Sequence, residues 1–216
     1  MKMKIRIITA IGAASLLGAA AVGQAQNYPG ALYFNGSVGG ALQQDMTVRN
    51  AAAGSKVGFD PGVRVDFSGG VHFSPYVSGE LETGIIANRL DTFNGVSLSS
   101  MGQRGDLTQF PLLANVIFRA PLRYGITPYI GAGAGGVVST LYLRQPGDRG
   151  TDSDINFAYQ GMAGVKFALN RNMEVGVGYK FLGSAAHTWF RDDPNLYTRS
   201  GQMFSHSILA TFTFSF

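Results

Sequence analysis

From Ile208 onward, apolar and polar side chains alternate: Ile208, Ala210, Phe212, Phe214 and Phe216 are separated by Thr211, Thr213 and Ser215, and only Leu209 breaks the pattern. A period of two places the apolar members on one face of a strand, because successive side chains of an extended chain point to opposite sides. The same period recurs along the chain and predicts eight strands, at residues 32–42, 59–71, 76–88, 107–120, 128–143, 155–168, 173–182 and 204–216. Long amphipathic helical patterns are missing. Beyond the first 25 residues no apolar run approaches the roughly 18 to 20 that a membrane-spanning helix needs.

The connections alternate as regularly as the side chains. Short ones, HFSPY, APLRYGIT and LNRN, follow the second, fourth and sixth strands. Long polar ones, QQDMTVRNAAAGSKVG, NRLDTFNGVSLSSMGQRGD, RQPGDRGTDSD and GSAAHTWFRDDPNLYTRSGQM, follow the first, third, fifth and seventh. An even number of antiparallel strands with long loops at one end and tight turns at the other is the pattern of a transmembrane barrel. Four mobile external loops are expected.

The distribution of charge decides which face looks inward. The second strand sets Val63, Val65 and Phe67 against Arg64, Asp66 and Ser68, and the seventh sets Val175, Val177, Tyr179 and Phe181 against Glu174 and Lys180. A soluble barrel turns its apolar face inward, whereas a membrane barrel turns it to lipid. Bulky apolar residues on one face of nearly every strand favour the second arrangement. The inward charges are then Arg64, Asp66, Glu80, Glu82, Arg119, Lys166, Glu174 and Lys180. An eight-stranded lumen is just wide enough for side chains to fill, and buried charge must be paired, so an occluded, charge-paired lumen is expected. Counting from the turns sets Lys166 opposite Glu174, Gln160 opposite Lys180 and Arg64 opposite Glu82. Aromatics gather in two groups: Tyr33, Phe73, Tyr76, Phe118, Tyr129, Phe167 and Phe216 at the short-turn end, and Phe110, Tyr142, Phe157, Tyr159, Phe181 and Phe204 toward the long loops. Two interfacial girdles are the reading.

Composition adds the compartment. Lys2, Lys4 and Arg6 precede the run IITAIGAASLLGAAAV and a small-residue site at Gly23, Gln24 and Ala25, which reads as a secretory signal peptide over residues 1–25 followed by a barrel over 26–216. Removing its three cations leaves 14 of the 17 against 13 anionic residues, so the net charge falls from +4 to +1 despite a pI near 9.4. That removes the electrostatic case for nucleic acid. Cysteine is absent, which excludes disulfides, a thiol nucleophile and a lipid anchor on cysteine.

Taken with the alternating strands, the segments FDPGVRVDFSGGVHF, TPYIGAGAGGV and EVGVGYKFLG and the terminal ATFTFSF resemble the small outer-membrane β-barrel superfamily of opacity-like porins and the barrel domain of outer membrane protein A. The resemblance implies an all-β, eight-stranded antiparallel up-and-down barrel in the bacterial outer membrane, without the periplasmic peptidoglycan-binding domain of outer membrane protein A. Its implied partners are outer-membrane lipid and lipopolysaccharide, surface ligands at the loops, and a barrel assembly machinery that reads Phe212, Phe214 and Phe216 as its signal. A monomer is expected.

Several stretches imitate catalytic or binding motifs. Gly131, Gly133 and Gly136 spell the dinucleotide pattern but lie inside a predicted strand, where that motif must open a helix. Asp152, Asp154 and Asn156 begin like a calcium loop, but Phe157 stands where glycine is required. Ser205, His206 and Ser207, and His187 with Asp192 and Asp193, could supply a hydroxyl, an imidazole and a carboxylate. By parity, however, His206 faces away from both serines. His72 reads as a solvated turn residue, and Pro111 as a residue above the membrane or at a bulge. No metal or cofactor is expected. The leading expectation is a structural or surface-interaction barrel. A narrow passive pore and an outer-leaflet lipid-modifying enzyme are the alternatives.

Overall fold

The computed structural model describes residues 29–50, 53–145, 148–190 and 198–216; the expected signal peptide lies outside them. Eight long strands form the wall: β1 Leu32–Gln43, β2 Gly62–His72, β3 Val77–Phe93, β4 Arg104–Arg119, β5 Ile126–Gln145, β6 Asp148–Ala168, β7 Met173–Ser184 and β8 Met203–Ser215. Each pairs antiparallel with the next, and β1 pairs with β8 from Tyr33 opposite Ser215 to Gln43 opposite Ser205. The ladder therefore closes on itself. Tight turns join β2 to β3, β4 to β5 and β6 to β7. In the last of these, Asn170 Oδ1 accepts from the backbone N–H groups of Asn172 and Met173, each at 2.9 Å.

The alternation resolves as an inverted barrel. Leu112, Ile155 and Ile208 are 64%, 70% and 67% exposed on the outer surface, while Arg64 and Glu82 are 0% and 1% exposed inside. In water the exposed stripe would cost roughly 25 cal/mol for each Å². Against hydrocarbon it costs nothing. Phe212 and Phe216 lie on the outer face, where the Phe216 ring meets that of Phe214 edge-on at 5.1 Å. The Phe216 N–H donates to Leu32 O at 2.9 Å, which ties the chain end into the ladder.

Several expectations are corrected. The segment 144–154, expected as a loop, is largely paired: β5 and β6 run on as one tall hairpin, with Arg144 opposite Arg149 and Ser139 opposite Asp154. The first external segment is likewise built, with Met46–Asn50 pairing with Ala53–Phe59 and with Thr198–Ser200, which in turn pairs with Thr188–Trp189. These described loop segments are thus extensions of the sheet. Register also differs from the count. Glu174 stands opposite Ala168 and Lys166 opposite Gly176, because the turn places Leu169 against Met173. Gln160 faces Leu182, Lys180 faces Met162 and Arg64 faces Ile86.

Pro111 sits within β4 opposite Val137. On its other side the register is the same on both flanks, with only the pairs around Gly84 interrupted, so no bulge is present. The missing proline N–H is absorbed by that interruption, and Pro111 O accepts from Thr83 Oγ1 at 3.0 Å. The glycine triplet lies within β5, where a side chain on Gly133 would collide with that of Asn115.

Candidate functional site: the lumen and its outer seal

Three layers of side chains fill the barrel. At the short-turn end, Tyr33 and Tyr129 point inward, not into the outer girdle, because they share the parity of the buried inward residues Asn35 and Thr127. Lys166 Nζ lies 5.8 Å and 5.5 Å from their ring centroids and donates to Thr213 Oγ1 at 2.9 Å. The expected contact with Glu174 is replaced by these cation–π and hydroxyl contacts, since the register sets Glu174 opposite Ala168, two residues nearer the turn than Lys166. Glu80 accepts from Tyr33 Oη at 3.0 Å and from Ser68 Oγ at 3.1 Å. His72 is buried rather than solvated: its ring stacks on Tyr33 at 4.4 Å, its Nδ1 lies 2.8 Å from Ser78 Oγ, and Arg119 Nη1 approaches Nε2 at 3.4 Å.

The middle layer is a compact ion cluster. Arg64 Nε donates to both Asp66 oxygens at 2.9 and 2.8 Å, and its Nη2 donates to Glu82 Oε1 at 3.0 Å and to Gln160 Oε1 at 3.1 Å. Lys180 Nζ reaches Asp66 Oδ2 and Glu82 Oε2, each at 2.9 Å. Asn115 and Gln160 each donate to Glu82 Oε2 at 3.0 Å. Two cations and two anions leave the cluster neutral, which is the condition for burying it. Arg64 and Glu82 meet although their backbones are not opposite, because the long guanidinium stem spans the offset. The strands involved matter more than the pairs. In a ring of eight, β2 lies diametrically opposite β6, and β3 opposite β7. The Arg64 to Gln160 and Lys180 to Glu82 contacts cross the lumen along both diameters.

Above this layer the interior turns apolar. Ala41, Ile86, Leu113, Val137, Ala158 and Leu182 form one buried cluster; Leu107, Leu141, Met203, Met46, Val48, Val57, Trp189 and Phe190 form another. The sequence reading missed this cap. Its signal was the apolar intrusion on the inward parity, of which Leu209, buried at the lumen wall, is one member.

The cap is fastened at His187. Its ring stacks on Trp189 at 5.2 Å, and Trp189 Nε1 donates to Ser139 O at 3.0 Å. Asp154 Oδ2 accepts from the Thr188 N–H at 2.8 Å, Asp152 Oδ2 accepts from the Phe190 N–H at 2.6 Å, and the Ser200 N–H donates to His187 O at 2.9 Å. His187 Nε2 lies 3.0 Å from Ser184 Oγ, and Nδ1 lies 3.0 Å from Asn156 Nδ2 and 3.8 Å from Asp154 Oδ2. A hydroxyl, an imidazole and a carboxylate therefore converge. Asn156 Nδ2 also donates to Asp154 at 2.7 Å, so Nδ1 accepts and the neutral ring carries its proton on Nε2, toward Ser184. A general base would need the opposite tautomer, and both His187 and Ser184 are buried. Burial lowers the His187 pKa to about 4, with Asp154 partly opposing the shift. Asp192 and Asp193 lie outside the described residues. His206 faces outward, bonded to Tyr179 Oη at 2.6 Å and to Gln44 at 2.8 Å, while Ser205 and Ser207 point into the lumen. Among the described residues no cluster of histidine and acidic side chains could hold a metal.

With this geometry in view, the comparisons with known proteins are consistent. A family model described as the outer membrane protein beta-barrel domain matches residues 11–207. OprG of Pseudomonas aeruginosa superposes with a TM-score of 0.61 at 12% identity, covering 90% of this chain and 99% of its own. A major outer membrane protein of Thermus thermophilus gives 0.55 at 11% identity, with 86% and 99% covered. Neisserial surface protein A gives 0.54 at 13%, with 86% and 97% covered. At these identities the likeness is one of fold. No curated protein sequence matches.

Proposed function

The chain belongs to the outer membrane protein beta-barrel domain family and is a barrel of the bacterial outer membrane, and from that premise we propose that it is a closed, non-catalytic surface barrel acting through its external face. The observation that carries this reading is the pair of side-chain contacts across both diameters of the lumen, Arg64 with Gln160 at 3.1 Å and Lys180 with Glu82 at 2.9 Å, beneath an apolar cap. A passive pore would need this neutral cluster to part, leaving buried charges unpaired. In planar bilayers the refolded protein should give no stable single-channel steps, and regular steps would establish the pore instead. The non-catalytic reading is supported by the tautomer and burial of His187. Lipopolysaccharide incubated with the folded barrel should keep all its acyl chains.

We also infer that Phe212, Phe214 and Phe216 serve as the assembly signal, offered by strand addition to the barrel assembly machinery, and that the barrel works as a monomer. Deleting Phe216 should slow the appearance of the heat-resistant, faster-migrating form in pulse-chase experiments several-fold, while Ser215→Thr should leave it unchanged. Equal rates for the deletion and the wild type would remove these aromatics from the recognition step.

A further inference from the structure

Among the described residues, three that are not glycine hold a positive φ: Asn94 at 51°, Tyr124 at 65° and Phe190 at 54°. A side chain with a Cβ is strained there, and a bulky one most of all. For two of them the strain is offset within the chain. Asn94 Oδ1 accepts from the Lys56 N–H at 2.8 Å and its Nδ2 donates to Ser55 Oγ at 3.3 Å; Phe190 is buried in the cap, with its N–H on Asp152. Tyr124 has no such support. It stands at the tip of the tight turn between β4 and β5, 96% exposed and followed by Gly125 at 72°, and it makes no hydrogen bond or ring contact among the described residues. A ring held in a strained conformation without a partner in the fold points to a partner outside it.

The surroundings of the ring identify that partner. The tight turn between β6 and β7 lies alongside: Ile126 pairs with Phe167, and a side chain on Gly125 would meet that of Ala168 at 3.1 Å. Each turn carries one exposed leucine and one exposed arginine, Leu122 with Arg123 and Leu169 with Arg171. The outward positions that lead to them are apolar without interruption: Phe118, Ala120 and Leu122 on one arm of the first turn, Ile130, Pro128 and Ile126 on the other, and Phe167 and Leu169 on the β6 side of the second. Hydrocarbon therefore reaches the turns, and the two guanidinium groups begin where it ends, at the level of lipid phosphate. Arg123 and Arg171 are the charged residues of the three tight connections, and neither enters an ion pair among the described residues. Glu174, the carboxylate nearest to Arg171 along the chain, has the inward parity of Lys180. A zwitterionic headgroup would bring its ammonium group to these uncompensated cations. A headgroup charged only at its phosphate brings none.

We propose that Arg123, Tyr124 and Arg171, flanked by Leu122 and Leu169, form a site for an anionic phospholipid of the periplasmic leaflet, with the headgroup chemistry of phosphatidylglycerol. The guanidinium forks take the phosphate oxygens, and the Tyr124 ring lies in the interface with its hydroxyl toward the headgroup. The site rests on the placement of the tight turns at the periplasmic end, and it is independent of whether the lumen conducts.

The test uses the full barrel in lipid vesicles, with Tyr124→Trp as a local reporter, because the native Trp189 is buried in the cap at the other end. Phosphatidylglycerol and phosphatidylcholine, each brominated on the acyl chains, are compared as quenchers at equal mole fraction. The brominated phosphatidylglycerol should bind at the reporter roughly three- to tenfold more tightly, the gain expected of two cations at a charged surface. Adding R123Q/R171Q should abolish the preference, and adding K56Q/R199Q, which removes equal charge from exposed positions at the external end, should keep it. Equal quenching by the two lipids overturns the proposal. So does a preference that K56Q/R199Q abolishes, which belongs to the net charge of the barrel, or one that inorganic phosphate removes at constant ionic strength, which belongs to a free anion. A second measurement needs no reporter. The urea midpoint of the wild type should be higher in vesicles containing phosphatidylglycerol than in phosphatidylcholine alone, and the difference should vanish in R123Q/R171Q. Tyr124→Gly relieves the turn of its strain, so in phosphatidylcholine it should be at least as stable as the wild type while gaining less from phosphatidylglycerol. A Tyr124→Gly barrel that is less stable than the wild type in phosphatidylcholine would mean that the ring serves the fold, and that result also overturns the site.

Discussion

Arg64→Ala is expected to lower the unfolding free energy by about 3 to 5 kcal/mol. The substitution deletes the donor to Asp66, Glu82 and Gln160 at once, and Lys180 alone then faces two carboxylates in a space that solvent does not reach. Arg64→Leu should cost less than alanine if Glu82→Gln accompanies it, because the double change removes one charge of each sign and fills part of the volume. Urea-induced unfolding in lipid vesicles, followed by loss of heat-modifiable migration, measures both. Lys56→Ala is the reference, since Lys56 meets Asp45 at 3.8 Å with both side chains largely exposed, where an ion pair contributes no more than about 1 kcal/mol. Equal midpoints for Arg64→Ala and Lys56→Ala would mean that the mid-lumen cluster is not a structural element.

The outer cap should loosen in acid. The His187 pKa falls from 6.5 to about 4 in the closed cap, so the open loop binds a proton that the closed one refuses. Closure is therefore fully supported above pH 6.5 and loses support as pH falls from 6.5 toward 4, up to about 3 kcal/mol in all. The groups facing the ring are Ser184, Ser139, Asn156, Asp154 and Trp189. Because the chain has a single tryptophan, its emission reports this cap alone. The emission maximum should move to longer wavelength through that window in the wild type and stay fixed in His187→Asn. A shift of the same size in both would assign the opening to another group.

Much of this architecture was legible before any coordinates. The eight strands and the inverted faces follow from a period of two with charge on one side, as at Arg64 and Asp66 against Val63 and Val65. Register was not legible. Alternation is blind to a slip of two, which preserves every face, so the Lys166 and Glu174 match could be drawn by counting and still be wrong by two residues. The cap was hidden for another reason. Leu107 and Leu141 obey no outward alternation, and they make sense only once Trp189, from a loop far along the chain, is folded onto them. His187 could be matched along the sequence only with the neighbouring Asp192 and Asp193, because its actual partners, Ser184, Asn156 and Asp154, come from two strands and acquire meaning only at their meeting point.

The last pairing, β1 with β8, joins the most distant parts of the wall; Thr213 Oγ1 donates to Asn35 Oδ1 across 178 positions of sequence. No order of synthesis can form that contact early. Until the final strand has been translated and delivered, β1 and β7 each carry a bare edge, and loop-closure entropy favours nothing that would hold them in place. The barrel thus has no useful half-way product, and a ribosome that stops short yields a chain whose open edges invite pairing with other chains. For this molecule, timing is part of the fold: its first strand must remain unpaired, and protected, until its last one arrives.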